Sequence, residues 1–249
     1  GVAVATADGP RGEDRAAVGA APGGGLLVAV VDGHGGVYAA ERLRETLLAD
    51  VGEALVDRGG AASEGVAAAA LEAAFSAADA RLLQDDALGD AGAAAAVALV
   101  RDGRATVANV GDARCVLVEP HRTTELTTPH CKANAAEKAR VEKTGAFWAH
   151  GGRVQGVLRV SRAFGDRDFK GDRAANAWRT AFSSDPVTSK PTVATQTLRG
   201  GPAVLLVASD GLVDGLGGVD GAAQAARRAF RLFGDLDRAA AALAANARD

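Results

Sequence analysis

The stretch that decides the fold is Leu-Leu-Val-Ala-Val-Val-Asp-Gly-His-Gly-Gly at residues 26–36. Its first six residues are apolar without alternation, which is typical of a strand buried on both faces. Asp32 ends this run, and the glycines that follow at 33, 35 and 36 permit unusual backbone angles and close approach. Such a strand end would hold the Asp32 carboxylate and the His34 imidazole rigidly. The alternative is an ordinary turn with His34 on the surface.

The segments on either side of this stretch predict an α+β fold. Apolar spacing predicts helices over 37–56 and 66–83, and a capping box of Asn134 and Glu137 predicts a helix that ends near Thr144. The other predicted elements are strands over 2–6, 93–100, 105–110, 114–118, 192–198 and 203–208, a helical turn over 161–166, and helices over 221–233 and 236–246. This order lacks a βαβ rhythm, so we expect antiparallel sheets covered by helix pairs.

Composition and charge exclude several classes of protein. The net charge is −3 and no basic field is present, so neither nucleic acid nor an anionic membrane is expected as a partner. The sequence shows no transmembrane run and no signal peptide. Two cysteines outside any Cys-x-x-Cys unit favour a reducing compartment, so we expect a cytoplasmic or nuclear location. Residues 1–249 are interpreted as a single, monomeric domain. Because no Met is present, we expect this domain to be trimmed at both ends, and the loss of a targeting segment stays an open alternative.

Carboxylates recur at the ends of the predicted strands. A second apolar run leads into Ser209-Asp210-Gly211, Glu13-Asp14 follows the predicted first strand, and Asp166 and Asp214 are flanked by glycine. Converging carboxylates repel one another unless cations lie between them, and an all-oxygen ligand set favours Mg²⁺ or Mn²⁺ over zinc. Two such ions could hold a phosphoryl group while His34 protonates the leaving oxygen. A calcium-stabilised scaffold and a nucleotide-binding glycine loop stay open, although neither EF-hand nor P-loop spacing is present.

Five motifs in order resemble the type 2C, metal-dependent serine/threonine protein phosphatases. They are Glu13-Asp14, Val31-Asp32-Gly33-His34-Gly35-Gly36, Ala108-Asn109-Val110-Gly111-Asp112-Ala113-Arg114, Val154-Gln155-Gly156-Val157-Leu158 with Ser161-Arg162-Ala163-Phe164-Gly165-Asp166, and Ala208-Ser209-Asp210-Gly211-Leu212-Val213-Asp214. One such match is weak, whereas five in order across nearly the whole chain are specific. The resemblance implies a four-layer αββα sandwich, in which two stacked antiparallel sheets each carry an outer layer of helices.

The resemblance also implies a centre of two Mn²⁺ or Mg²⁺ ions, with a third, weaker site, that hydrolyses phosphoserine and phosphothreonine in phosphoprotein substrates. His34 matches the general acid, and residues 171–190 match the variable flap beside the cleft, which influences substrate choice. Asp166 and Asp214 match the acids of the third site. The ligands of the two main ions match Glu13, Asp14 (through water), Asp32 (the bridge), Gly33 (through its carbonyl), Asp210 and, as the candidate for the last ligand, Asp249.

The chain departs from the family pattern at several positions. The phosphate-binding arginine usually lies four residues before the Glu, where this chain has Gly9. Arg11 is expected to replace it, since a guanidinium can bind phosphate through two N–H groups. Pro129-His130 stands in place of an Asp-His pair and Ala93-Ala94 in place of two hydroxyl residues, and we interpret both changes as structural.

Other residues inside the motifs are interpreted as structural rather than functional. Asn109, Asp112 and Arg114 are predicted to serve in a turn and in packing, and Arg162 is predicted to be a buried ion-pair partner.

Three functional hypotheses follow from the sequence. The first is metal-dependent hydrolysis without a covalent phospho-enzyme, because Cys115 and Cys131 lie in no Cys-x₅-Arg loop. The second is a catalytically weak or inactive phosphatase-like domain that acts as a regulatory binding module. The third is a metal-stabilised structural protein, for which Asp32→Ala would lower the melting temperature and change nothing else.

Overall fold

The computed structural model describes residues 1, 3–5, 12–59, 64–170 and 182–247. The strands are β1 (Asp14–Ala20), β2 (Leu26–His34), β3 (Gly92–Arg101), β4 (Arg104–Val110), β5 (Arg114–Val118), β6 (Thr123–Glu125), β7 (Trp148–Ala149), β8 (Arg153–Val154), β9 (Phe164–Gly165), β10 (Thr192–Thr197) and β11 (Val204–Ala208). The helices are α1 (Tyr38–Asp57), α2 (Glu64–Gln84), α3 (Ala135–Lys143), α4 (Asp210–Gly215), α5 (Gly218–Phe233) and α6 (Leu236–Asn246). Short 3₁₀ turns lie at Asp86–Leu88 and Arg167–Phe169.

The larger sheet is antiparallel and carries helices α1 and α2 on its outer face. Its strand order is β1-β2-β3-β4-β10, and β9 pairs with one end of β3. Leu27 and Val31 of β2 pack with Leu43 of α1 and Phe75 of α2 in the main core. The burial on both faces predicted for residues 26–31 is wrong, because on β2 alternate residues are buried and the others are half-buried. On β3, by contrast, residues 92–99 are all buried.

The smaller sheet stacks on the inner face of the larger one. It has the order β11-β5-β6, and its Cys115 and Leu117 pack against Ala98 and Val107 of the larger sheet. Helices α5 and α6 cover the opposite face through a separate apolar cluster that includes Val116. The order helix pair, sheet, sheet, helix pair confirms the predicted four-layer αββα sandwich.

A satellite core forms where α3 packs against the β7–β8 hairpin. Residues 171–181, which make up most of the predicted flap, lie outside the described residues. Residues 182–190 contain no helix or strand, and Val187 packs in this satellite core with Val141 of α3. Arg140 of α3 donates to the carbonyl of Pro186 at 3.0 Å, so the described end of the predicted flap is anchored on α3.

Two predicted elements are wrong. Residues 3–5, inside the predicted first strand, are not in a strand, and the first strand begins instead at Asp14, because residues 14–20 pair in register with β2. The predicted helical turn over 161–166 is extended at β9, since Phe164 and Gly165 pair with the start of β3, and the 3₁₀ turn comes after it.

Among the described residues, no helix combines the length and the apolar character needed to cross a membrane.

Candidate active site

Asp32 lies near the C-terminal end of β2, beside the first residue of β1. Asp14 lies directly opposite Asp32 in the β1–β2 ladder. A Cβ atom at the neighbouring Gly33 would lie 2.8 Å from the carbonyl oxygen of Glu13 and 3.1 Å from the Cβ atom of Ala40. Glycine is therefore required where β1, β2 and α1 approach each other, and this approach brings Glu13 and Asp14 beside Asp32.

Three carboxylates from separate parts of the chain converge at this edge. Asp32 lies two residues before the end of β2, Asp112 lies in the turn between β4 and β5, and Asp210 begins α4 one residue after Ser209. One oxygen from each carboxylate lies within 4.8 Å of those from the other two, and all three residues are partly buried. We call these three residues the acidic group. They bring together an end of the larger sheet and two segments that adjoin the smaller sheet.

The described groups that shift the pKa of Asp32 are all acids. Burial, followed by the charges of Asp14 and Asp210, raises the pKa of Asp32 to about 9. Burial and the charge of Asp210 raise the pKa of Asp112 to about 6. For both of these groups burial is the largest cause, and the charges of neighbouring acids add to it. A cation bound among them would reverse this effect.

Glu13 and Asp14 are fixed at the rim of the acidic group. An oxygen of Glu13 accepts a hydrogen bond of 3.0 Å from the backbone N–H of Gly36. An oxygen of Asp14 accepts one of 2.7 Å from the hydroxyl of Ser209, the residue before Asp210. The Ser209 hydroxyl therefore ties β1 of the larger sheet to the end of β11 in the smaller sheet.

His34 lies at the end of β2 and pairs with Asp166. Its Nε2 atom is 2.8 Å and 3.0 Å from the two carboxylate oxygens, which can only accept, so Nε2–H is the donor. Burial lowers the pKa of His34, but the hydrogen bond and the charge of Asp166 outweigh burial, and the net pKa is raised. The imidazole is therefore biased towards its protonated form and held in one orientation.

Gly92 makes room for this pair. It lies opposite both His34 and Gly165 at the start of β3. A Cβ atom at position 92 would lie 2.5 Å from the Asp166 carboxyl carbon and 2.5 Å from His34 Nε2. The His34–Asp166 pair therefore packs directly on the backbone of Gly92, with no space for a side chain.

The remaining predicted site residues are not in the acidic group. Asp166 is engaged with His34, and Asp214 is exposed on α4 one helical turn after Asp210. Arg11, the expected phosphate-binding residue, and Asp249, the candidate for the last ligand, lie outside the described residues.

Three residues that reasoning from the sequence did not assign to the site contribute to it. Asp112 lies in a turn as predicted, but its carboxylate also joins the acidic group. Its signal was the pattern of an apolar strand that ends beside Gly and Asp, which it shares with Asp32 and Asp210. Ser209 and Gly92 carried no comparable signal, because their contacts involve residues distant in sequence.

The predicted role of Arg162 is confirmed. Its guanidinium donates to the buried carboxylate of Glu137 at 2.5 Å and 3.1 Å. Glu137 also accepts hydrogen bonds from Arg140 and from the hydroxyl of Ser161. Hydrogen bonds from Arg162 and Ser161 outweigh the effect of burial and hold the pKa of Glu137 near 2. Since this carboxylate is neutralised by the protein itself, we assign it a structural role.

Comparison with curated sequences gives relatives of one kind. Over 192 residues the chain is 33% identical to the Arabidopsis thaliana protein named "Probable protein phosphatase 2C 59", which covers 76% of this chain and 55% of the relative. Over 195 residues it is 36% identical to "Probable protein phosphatase 2C 74" of Oryza sativa subsp. japonica, covering 74% of this chain and 45% of the relative. The chain spans between a third and about half of the length of the first of these relatives.

Comparison with solved structures supports the same fold. A sex-determining protein of C. elegans superposes with a TM-score of 0.79 at 21% identity, over 98% of this chain and 59% of that one. The serine-threonine phosphatase 2C of Toxoplasma gondii superposes with a TM-score of 0.76 at 20% identity, over 97% of this chain and 85% of that one. At this level of identity the likeness concerns the fold. The family model described as Protein phosphatase 2C matches residues 25–249, nearly the whole chain, and the chain therefore belongs to the protein phosphatase 2C family.

Proposed function

We propose that this chain hydrolyses phosphoserine and phosphothreonine in protein substrates with two bound Mn²⁺ or Mg²⁺ ions, and with a third ion at a weaker site. The observation that carries the proposal is the acidic group, in which the oxygens of Asp32, Asp112 and Asp210 lie within 4.8 Å of one another. Membership of the protein phosphatase 2C family supports the same activity.

The residues present fit such ions. The acidic group offers only carboxylate oxygens, which are the ligands that Mg²⁺ and Mn²⁺ prefer. The pKa of Asp32, raised to about 9, indicates a site in which negative charge is poorly tolerated until a cation enters. Bound there, the ions would supply a water of lowered pKa as the nucleophile and would neutralise the charge of the phosphoryl group.

We propose two sets of ligands on the basis of the family motifs and the observed positions. Asp112 is added to the motif ligands, because its carboxylate lies beside Asp32 and Asp210. Asp214 is retained for the third site, and Asp166 is assigned there only in addition to its contact with His34. The residues that would hold the two main ions are Glu13, Asp14 through water, Asp32 for both ions, the carbonyl of Gly33, Asp112, Asp210 and Asp249.

His34 is proposed as the general acid. Asp166 accepts a hydrogen bond from Nε2–H of His34. The proton on Nδ1 is then the one that is transferred to the leaving oxygen. When the P–O bond to serine or threonine breaks, the electron pair stays on the leaving oxygen and the proton from His34 converts it to the alcohol. Arg11 is proposed to bind the phosphate through its guanidinium N–H groups.

The proposal extends to the setting in which the chain acts. We propose phosphoproteins as its substrates, a monomeric catalytic domain over residues 1–249, and action in the cytoplasm or the nucleus. The predicted flap at 171–190 is proposed to influence the choice among substrates.

The test is phosphate release from a phosphothreonine peptide with Mn²⁺, with a chelator, and with two Asp→Asn variants. We expect Asp32→Asn to lower turnover by at least about 100-fold, because even outer contacts to bound metals are worth 10–100-fold. Asp102→Asn is the matched control, since Asp102 is exposed in a hairpin turn at φ 48°, a conformation that Asn also adopts. Turnover that survives chelation, or that Asp32→Asn retains, would refute the metal-dependent hydrolase.

A non-catalytic binding module is the second candidate. It is favoured by one observation, namely that Gly9 stands where the family usually has its phosphate-binding arginine. If this candidate is correct, the wild-type chain releases no phosphate from the peptide with Mn²⁺ present. Release of phosphate by the wild type excludes it.

A further inference from the structure

A buried ion pair on α2 holds the loop that carries Asp166. The loop runs over residues 163–170, and we call it the Asp166 loop. Lys170, at its end, lies 2.8 Å and 2.9 Å from the two carboxylate oxygens of Asp79 on α2. Both side chains are almost fully buried, with exposed fractions of 4% for Lys170 and 8% for Asp79. The pair is remote from the acidic group in sequence and is not among the motif residues of the proposed mechanism.

The same two side chains also bind the backbone of the loop. The ammonium group of Lys170 donates to the carbonyl of Ala163 at 2.6 Å, which closes the loop on itself. Asp79 accepts a hydrogen bond of 2.8 Å from the N–H of Gly165, the residue directly before Asp166. One buried pair therefore fixes the first residue, the last residue and the position next to Asp166.

Further contacts tie the loop to the C-terminal end of α2. Arg167 donates to the carbonyl of Leu83 at 3.0 Å and to that of Asp85 at 2.7 Å. The ring of Phe164 packs on Phe75 of α2 with 4.9 Å between ring centroids. The residues on both sides of Asp166 are therefore held against one helix, with little freedom for the carboxylate to move.

Asp166 needs such support because of its backbone. Its φ of 51° and ψ of 51° are left-handed, a conformation that non-glycine residues adopt rarely and only where surrounding contacts enforce it. Its carboxylate is hydrogen-bonded to His34 Nε2 through both oxygens. A change in the loop backbone would move this carboxylate and, with it, the imidazole.

The buried Asp79–Lys170 ion pair is not explained by its contribution to the stability of the fold. Buried ion pairs are costly to desolvate, and apolar residues of similar volume often replace them with no loss of stability. Apolar residues could not, however, accept the Gly165 N–H or bind the Ala163 carbonyl. The polar contacts therefore serve to set the geometry of the loop.

We infer that Asp79 and Lys170 are positioning residues for His34: by fixing the backbone around Asp166, they hold the imidazole where it can protonate the leaving oxygen. This inference rests on the proposed function, in which His34 is the general acid. It places a residue that affects catalysis, Asp79, on α2, the helix that helps to cover the outer face of the larger sheet.

The test compares two substrates that differ in their need for a general acid. A phosphothreonine peptide releases a basic alkoxide, whereas p-nitrophenyl phosphate releases a stable phenolate that departs without a proton. We expect Lys170→Met to lower kcat for the peptide about 10–100-fold and kcat for p-nitrophenyl phosphate less than about 3-fold, since general acids contribute 10²–10⁴-fold and small misplacements cost up to 10²-fold. Asp79→Asn, which keeps an oxygen for the Gly165 N–H, is expected to show a smaller loss with the same selectivity.

Asp50→Asn is the control for loss of an ion pair on α2. Asp50 of α1 is 9% exposed and pairs with Arg81 of α2, so its replacement also removes an ion pair on this helix. We expect the ratio of the two kcat values to stay at the wild-type value. Gly92→Ala should reproduce the selective loss without touching the ion pair, because the added methyl group displaces His34 and Asp166 directly.

Hydrogen–deuterium exchange of the metal-free protein provides a readout that does not need activity. Lys170→Met and Asp79→Asn should speed exchange of the Gly165 and Asp166 amides and leave exchange of β2 unchanged. Equal losses of kcat on both substrates, or unchanged exchange in the Asp166 loop, would overturn the inference. A wild-type chain inactive on both substrates with Mn²⁺ would instead refute the proposed function, while the exchange measurement still decides whether the pair positions the loop.

Discussion

Asp32 and Glu137 are both withdrawn from water, yet their pKa values move in opposite directions. Burial is the first cause in both cases and raises the pKa. Around Asp32 the neighbours are further acids, which take its pKa to about 9. Around Glu137 the neighbours are Arg162, Ser161 and Arg140, which take its pKa to about 2.

This difference distinguishes a carboxylate in a candidate metal site from a carboxylate with a structural role. The protein neutralises Glu137 with its own arginines, so nothing further needs to bind there. Asp32, Asp112 and Asp210 instead lie together, and the described groups that shift the pKa of Asp32 are all acids, which is a charge imbalance that an external cation would remove. Burial of a carboxylate is therefore uninformative until its partners are known.

Glu137→Gln should cause a large loss of stability. The amide leaves Arg162 and Arg140 without their carboxylate, and removing one partner of a buried pair costs about 3–5 kcal/mol. In a domain of this size the melting temperature should fall by about 10 °C. Glu142→Gln on the same helix is the control, because Glu142 is exposed and only 3.9 Å from Lys138, and we expect a change near zero. A shift of 1 °C or less in Glu137→Gln would contradict the structural role.

Asp32→Asn should stabilise the metal-free protein. Asparagine resembles the protonated acid that burial and the neighbouring carboxylates favour, so the variant folds without the uptake of a proton that Asp32 requires at neutral pH. We expect a gain of about 1–2 kcal/mol at neutral pH, which is the usual size of a single stabilising substitution. The measurement is chemical denaturation with a chelator present. Destabilisation of the metal-free protein by this variant would mean that the acidic group is already compensated by the protein.

The two carboxylates should also give opposite pH dependences of stability. The pKa of Asp32 rises on folding from 3.8 to about 9, so the folded state holds a proton that the unfolded state has released, and stability falls as pH increases through this window. The pKa of Glu137 falls from 4.5 to about 2, so its stabilisation is complete above pH 4.5 and is lost as pH decreases towards 2.

Thermal unfolding of the chelated protein over this pH range measures both effects. The advantage of Asp32→Asn over the wild type should grow from pH 4 towards pH 9. The deficit of Glu137→Gln should shrink below pH 4.5. Parallel curves for the wild type and both variants would show that neither pKa is shifted.

The sequence predicted the architecture because the decisive patterns are local. Apolar runs and helical spacing gave α1, α2, β3, β4 and β5 within a few residues of their observed bounds. Strand β1 was missed because only its pairing with β2 makes the segment Asp14–Ala20 a strand, while its own residues are small and half exposed. The predicted turn over 161–166 was wrong for the same reason, since β9 exists only through its pairing with β3.

The sequence motifs predicted several residues of the candidate site, but they did not predict which residues those side chains contact. Asp32, Asp210 and His34 stood out because each follows an apolar run or a glycine pattern. The role of Glu137 was misjudged: Asn134 caps α3 with its own side chain as predicted, but the Glu137 carboxylate binds Arg162 instead of completing the capping box. Pairs such as these are separated by 25 residues or more, and no local pattern specifies them.

Ser209→Ala should lower stability only slightly, but it tests whether Asp14 acts together with the acidic group. The Ser209 hydroxyl donates to Asp14 at 2.7 Å, and removing it costs about 1 kcal/mol as a typical hydrogen bond. If Asp14 acts on the bound ions through water, as proposed, a looser carboxylate should also weaken Mn²⁺ binding by about 10-fold, the lower end of the effect of outer contacts on metal sites. Calorimetric titration with Mn²⁺ measures this change. Ser183→Ala is the control, since the Ser183 hydroxyl donates to the backbone carbonyls of residues 143 and 144 at 3.4 Å. An unchanged Mn²⁺ affinity in Ser209→Ala, with the expected small loss of stability, would mean that Asp14 belongs with Glu137 among the supporting carboxylates rather than with Asp32.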